Sequence, residues 1–137
     1  MKIAVLGAGA WGTALAISLS AHHSIKLWAR DRRQIDAIAA ARENARYLPS
    51  FSLPDSIALS ADLAQAINGA ELILAVVPTS GFRALLTALT EAGNTTPIVW
   101  ACKGFEPGGA KLLHQVAAEA LPDTVSRGVL SGPTFAQ

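Results

Sequence analysis

The feature that most constrains this chain is its first turn, Ile3-Ala4-Val5-Leu6-Gly7-Ala8-Gly9-Ala10-Trp11-Gly12. The opening apolar run, with its branched residues, has the composition of a parallel strand buried on both faces. It passes through glycines at G-x-G-x-x-G spacing directly into a helical pattern from Thr13 to Leu19. Strand, glycine turn and helix in immediate succession form the context of a dinucleotide site, whereas the glycine spacing alone would fit any tight turn ahead of a helix. In that context Gly7 makes the turn, Gly9 leaves room for backbone amides to meet a pyrophosphate, and Gly12 lets helix and strand pack closely. The helix N-terminus adds unpaired N–H groups and a partial positive charge.

The rest of the chain alternates in the same manner. Strands are expected at Ser24 to Ala29, Ile57 to Ser60, Glu71 to Pro78, Pro97 to Ala101 and Val125 to Ser131. Helices are expected at Asp31 to Arg42, from Asp62 to near Asn68-Gly69, at Gly81 to Thr90 and at Gly108 to Ala120, the last with Leu112, Leu113, Val116 and Ala120 inward. Between the second helix and the third strand, Pro49 and Pro54 forbid an ordinary helix, so residues 43–51 read as a loop that must bury Tyr47, Leu48 and Phe51. Such alternation predicts an α/β fold, a doubly wound, mostly parallel Rossmann sheet with helices on both faces and strand order 3-2-1-4-5-6. At 137 residues, with no repeat or linker, the chain reads as one dinucleotide-binding domain over residues 1–137. In this topology ligands sit outside the carboxyl ends of the strands where the winding reverses. Gly7 to Gly12 and Val77 to Ser80, including Pro78, should therefore face each other.

Composition narrows the ligand. A net charge of +1 without a basic block argues for a small phosphorylated molecule rather than nucleic acid. The longest apolar run, Leu72 to Pro78, is far below the roughly 18 residues of a membrane span, so no integral membrane segment is expected. The glycine turn breaks the N-terminal apolar segment where a signal peptide would continue, and a single cysteine gives no disulfide framework; both fit the cytoplasm. No metal cluster or Ser-His-Asp pattern stands out, and His22-His23 reads as a solvated helix end. At the end of the second strand an NAD site places an acid and an NADP site an arginine. Arg30 occupies that place, with Arg33 close behind and Asp31 suited to cap the next helix, so NADP is favoured while NAD remains possible. Lys103 follows the fifth strand on the ligand rim, where an ammonium could hold a phosphate or polarise a carbonyl, and Gly132 and Thr134 offer an amide and a hydroxyl at the end of the sixth. Cys102 reads as core packing.

Taken together, Gly7-Ala8-Gly9-Ala10-Trp11-Gly12-Thr13-Ala14-Leu15-Ala16, Leu27-Trp28, Asn44-Ala45-Arg46-Tyr47-Leu48-Pro49, Val76-Val77-Pro78, Cys102-Lys103-Gly104 and Ser131-Gly132-Pro133-Thr134-Phe135-Ala136 resemble the bacterial NAD(P)-dependent glycerol-3-phosphate dehydrogenases, in that family's order. The resemblance implies reversible hydride transfer between NAD(P)H and dihydroxyacetone phosphate, giving sn-glycerol 3-phosphate for phospholipid synthesis. Carried over by position, it implies cofactor contacts from Ala10, Trp11, Arg30, Lys103 and Ala136, with Tyr47 as a further neighbour, and substrate contacts from Lys103, Gly132 and Thr134. It also implies that the lysine relaying the proton lies beyond Gln137, in a helical substrate domain, which leaves no catalytic acid in this chain. A homodimer is the assembly the resemblance allows for the full-length protein. Two other readings share parts of the pattern. A non-catalytic NAD(P)-sensing module would need the glycine turn but neither Lys103 nor Gly132-Pro133-Thr134, and another two-domain hydroxy-acid dehydrogenase would lack Tyr47-Leu48-Pro49.

Overall fold

The computed structural model describes residues 1–101 and 111–130. Among the described residues the strands are β1 (Lys2–Leu6), β2 (Ser24–Trp28), β3 (Glu43–Asn44), β4 (Leu48–Ser52), β5 (Ala58–Ser60), β6 (Leu72–Ala75), β7 (Ile98–Trp100) and β8 (Arg127–Val129), and the helices are α1 (Ala10–Leu19), α2 (Arg32–Ala41), α3 (Leu63–Ile67), α4 (Thr79–Glu91) and α5 (Leu113–Ala120). Six strands form one sheet in the order β5-β2-β1-β6-β7-β8, and every pairing in it is parallel. With the β3–β4 hairpin set aside, this is the expected order 3-2-1-4-5-6.

Alternation along the strands divides the core between the two faces. In β1, Ile3 and Val5 join Ile25, Leu27 and Leu74 beneath Ala16 of α1 and Ile35 and Ile38 of α2. Ala4 and Leu6 point the other way, with Ile73, Ala75, Ile98 and Trp100, against Phe82, Leu86 and Leu89 of α4 and Val116 of α5. Because β1 is buried on both sides, the apolar run that opens the chain needs no polar face. Helix starts follow local chemistry: the carboxylates of Asp31 and Asp62 accept the N–H groups of Arg33 and Gln65, capping α2 and α3. On the second face Glu119 of α5 accepts hydrogen bonds from Lys111 and from Arg83 of α4, and these hold its carboxyl below the usual glutamate range.

Two expectations are corrected. Residues 43–51 are no plain loop, since β3 and β4 pair antiparallel with Glu43 opposite Ser52 and Asn44 opposite Leu48. Pro49 is tolerated because this two-stranded ribbon leaves edge positions without a ladder partner. Nor does the stretch bury its bulky side chains: Tyr47 is 40% and Phe51 58% exposed, while Leu53, just beyond, enters the core at 3%. In α5 the inward residues are Leu113, Val116 and Ala117. Leu112 is exposed because it is the residue that precedes the helix, which shifts the apolar stripe.

Candidate dinucleotide-binding site

The glycine turn is built around two contacts that exclude any side chain. Gly7 has φ +127°, and a Cβ there would overlap the carbonyl of Val76 at the end of β6. A Cβ on Gly12 would overlap the carbonyl oxygen of Gly7, so α1 can lie this close to β1 only through a glycine. Backbone bonds complete the turn: Gly7 N–H donates to Trp28 O at 2.8 Å, Val76 N–H to Leu6 O at 2.8 Å, and Thr13 N–H to Gly9 O at 3.1 Å. Gly9 differs from its neighbours. Its backbone is extended, and nothing lies within 4 Å of a Cβ built on it. Among the described residues, the N–H groups of Gly9 and Ala10 have no hydrogen-bond acceptor.

That open space belongs to a cleft of about 560 Å³ at the carboxyl end of the sheet. Gly7, Gly9, Ala10, Trp11, Gly12, Arg30, Tyr47 and Pro78, all singled out from the sequence, line it. The topology explains their convergence. β1 and β6 are neighbours, yet α1 leaves β1 toward one face and α4 leaves β6 toward the other, so two helix N-termini open onto the crevice between them. Trp11 is 39% exposed at the start of α1, and the half-exposed Tyr47 ring carries the Arg46 guanidinium 5.0 Å from its centre. Arg30, which also lines the cleft, is exposed and makes no ion pair among the described residues. Asp31 beside it is occupied in part by its cap to α2.

Lys103, Gly132, Thr134 and Ala136, like Cys102, lie outside the described residues. The elements leading to two of these segments are in place, since Ala101 lines the cleft and Leu130 N–H donates to Trp100 O at 2.8 Å beside it. Among the described residues no three His, Cys, Asp or Glu side chains gather as metal ligands, and no helix is long and apolar enough to cross a membrane. His22 is exposed and His23 half-buried at the end of α1.

Three residues behind the turn, Thr13, Gln34 and Asn44, have no role that the sequence assigns, although Thr13 and Asn44 stand in the segments that resemble the family. The carbonyl of Ala8, in the middle of the turn, accepts hydrogen bonds from Gln34 Nε2 of α2 and Asn44 Nδ2 of β3, each at 2.8 Å. Asn44 Nδ2 also donates to Thr13 Oγ1 of α1 at 2.8 Å. Asn44 and Thr13 are 1% and 0% exposed. In sequence, an asparagine in a polar stretch before a proline reads as a turn former; only the hairpin's return onto α1 makes it a buried amide.

Residues 2–137 match the family model described as NAD-dependent glycerol-3-phosphate dehydrogenase N-terminus. The chain belongs to this family. Over its full length it is 55% identical to a glycerol-3-phosphate dehydrogenase [NAD(P)+] of Thiobacillus denitrificans and 52% identical to one of Nitrosomonas europaea, in each case covering 42% of that protein. It therefore spans less than half the length of the curated relatives it matches. The fold superposes on the crystal structure of glycerol-3-phosphate dehydrogenase from Coxiella burnetii with a TM-score of 0.86 at 35% identity, over 97% of this chain and 41% of that one.

The glycines make opposite predictions. Gly12→Ala should destabilise the fold by roughly 3 kcal/mol, the upper range for overpacking, because the clash is with backbone. Gly9→Val should keep the thermal midpoint within a few degrees of the parent and abolish dinucleotide binding, since its Cβ would stand in open space at the cleft. Circular dichroism melts and NADPH titrations of the two variants separate these outcomes; retained affinity in folded Gly9→Val would place the phosphates elsewhere.

Proposed function

We propose that this chain is the cofactor-binding part of an NAD(P)-dependent sn-glycerol-3-phosphate dehydrogenase, with the dinucleotide lying in the cleft over Gly9. The observation that carries this reading is the cradle itself: a glycine with open space above it and, among the described residues, two backbone N–H groups without acceptors at a helix N-terminus. These are the donors a pyrophosphate needs, at the positive end of the α1 dipole. Membership of the family supports the choice of a nicotinamide dinucleotide over other phosphorylated ligands. When bound, that group supplies the hydride for reduction of the ketone carbon of dihydroxyacetone phosphate.

The chain's own residues bind and orient. Gly9 and Ala10 hold the pyrophosphate, Trp11 and Tyr47 cover it from the two sides of the cleft mouth, and Pro78 bounds it across the crevice. Arg30 holds the adenosine 2′-phosphate, which makes NADP the preferred form and leaves NAD usable. Lys103 touches cofactor and substrate, Ala136 the cofactor, and Gly132 and Thr134 the substrate, each by resemblance. Reduction also needs a proton on the ketone oxygen, and general acid help is typically worth about 10²–10⁴-fold in rate. We assign that proton to a lysine of a helical substrate domain beyond Gln137, in a protein that pairs as a homodimer and works in the cytoplasm on phospholipid precursors.

Two measurements test the reading. Arg30→Ala should weaken NADPH binding by about 1–3 kcal/mol, the scale of a hydrogen bond to a charged group, and hardly change NADH binding. Equal losses for both, by fluorescence titration, would remove Arg30 from the 2′-phosphate. The 137-residue chain should bind NADPH yet oxidise it with dihydroxyacetone phosphate at least about 100-fold more slowly than the same chain extended through a helical second domain. Comparable rates would put the acid within the chain, with Lys103 the first candidate.

A further inference from the structure

We propose that Asn44, together with Gln34, is a positioning residue that sets the direction of the phosphate-binding N–H group of Gly9. The proposal rests on the dinucleotide reading above and deepens it. A peptide between Ala8 and Gly9 can rotate as a rigid plane, and in a trans peptide the carbonyl and the following N–H point in opposite directions. Whatever fixes Ala8 O therefore aims Gly9 N–H.

In this turn the carbonyl is held twice. Gln34 Nε2 and Asn44 Nδ2 donate to the same oxygen at 2.8 Å each, which uses both of its lone pairs. The second hydrogen of the Asn44 amide goes to Thr13 Oγ1 at 2.8 Å, so the NH₂ group is fully used and ties turn, α1 and hairpin together. Asn44 is 1%, Thr13 0% and Ala8 4% exposed, so the carbonyl is largely sheltered from solvent, with Gln34 partly exposed beside it. With its carbonyl held by these two donors, the Gly9 N–H is turned the opposite way, and no described residue accepts from it; Gly9, like Ala8 and Gln34, lines the cleft. A free peptide would have to be reoriented when a ligand arrives, at a cost in affinity; here the orientation is set beforehand.

The donor character of the amide is the essential point. An aspartate in place of Asn44 has nearly the same shape but offers only acceptors to Ala8 O and Thr13, unless it is protonated. Leucine at position 34 removes the other donor from a partly exposed position, so that variant folds whether or not substitutions at 44 do.

The test is calorimetric titration with NADP⁺ of the wild-type chain, Asn44→Ala, Asn44→Asp and Gln34→Leu, alongside their melting curves. Folded Asn44→Ala and Gln34→Leu should each bind about tenfold more weakly, the equivalent of one net hydrogen bond, and Asn44→Asp more weakly still. As the pH is lowered, the affinity of Asn44→Asp relative to wild type should recover, because a protonated carboxyl can again donate to Ala8 O. A purely structural role would lower the melting temperature and leave the affinity of the folded variants, and that pH ratio, unchanged. Wild-type affinity in Gln34→Leu and in any folded variant at position 44 would overturn the proposal. Failure of the wild-type chain to bind NADP⁺ would instead overturn the dinucleotide reading, and the proposal with it.

Discussion

The contact between Gly12 and the carbonyl oxygen of Gly7 is the constraint on which the rest of the structure depends. It brings the first turn of α1 against the end of β1 at a distance no side chain permits. The turn between them is consequently shallow, and its middle residues, Ala8 to Ala10, stand at the carboxyl edge of the sheet. Gly7 meets Val76 in a second contact of the same kind, which locks β1 to β6 at the position where the winding of the sheet reverses. A groove at that place is then unavoidable, because α1 and α4 diverge to opposite faces from adjacent strands. The apolar content of β1 and β6 follows from the same geometry: strands at the centre of a doubly wound sheet have no solvent side, and Val5 and Ile73 are completely buried.

Much of this was legible in the sequence because its signals are local. The glycine turn, the capping carboxylates of Asp31 and Asp62, and the short apolar strands each declare themselves within a few residues, and the strand order follows from the doubly wound topology that the glycine turn and the strand–helix alternation mark. The eight cofactor candidates among the described residues all line one cleft, since topology gathers the ends of β1, β2 and β6 whatever the details of the loops. What was not legible depends on long-range packing. The β3–β4 hairpin is short and carries a proline, so no strand pattern marks it, and its outward Tyr47 and Phe51 contradict the rule that bulky apolar residues seek the core. Asn44 takes its meaning from a contact with Ala8, which a sequence separation of 36 hides. Leu112 and Ala117 exchange roles in α5 because the stripe shifts where the helix begins.

The site divides its work between backbone and side chains. On the dinucleotide reading proposed above, backbone N–H groups at the turn recognise a pyrophosphate by charge and direction, which any dinucleotide satisfies. Among the side chains that line the cleft are Arg30, proposed above to meet the 2′-phosphate, and Tyr47 and Trp11, whose aromatic surface is partly exposed. The side-chain amides of Asn44 and Gln34 belong to neither group; in the proposal above they keep the backbone donors pointed in one direction.

The central claim is that the Gly9 and Ala10 N–H groups receive the phosphates of a nicotinamide dinucleotide. The most direct measurement is a ¹H–¹⁵N correlation titration of the chain with NADPH, following backbone amides individually. The account predicts that the Gly9 and Ala10 proton resonances move downfield further than any others as the site fills, with smaller changes for Trp11, Arg30 and the start of α4. Saturation with NADPH that leaves Gly9 and Ala10 in place while amides elsewhere move would contradict it.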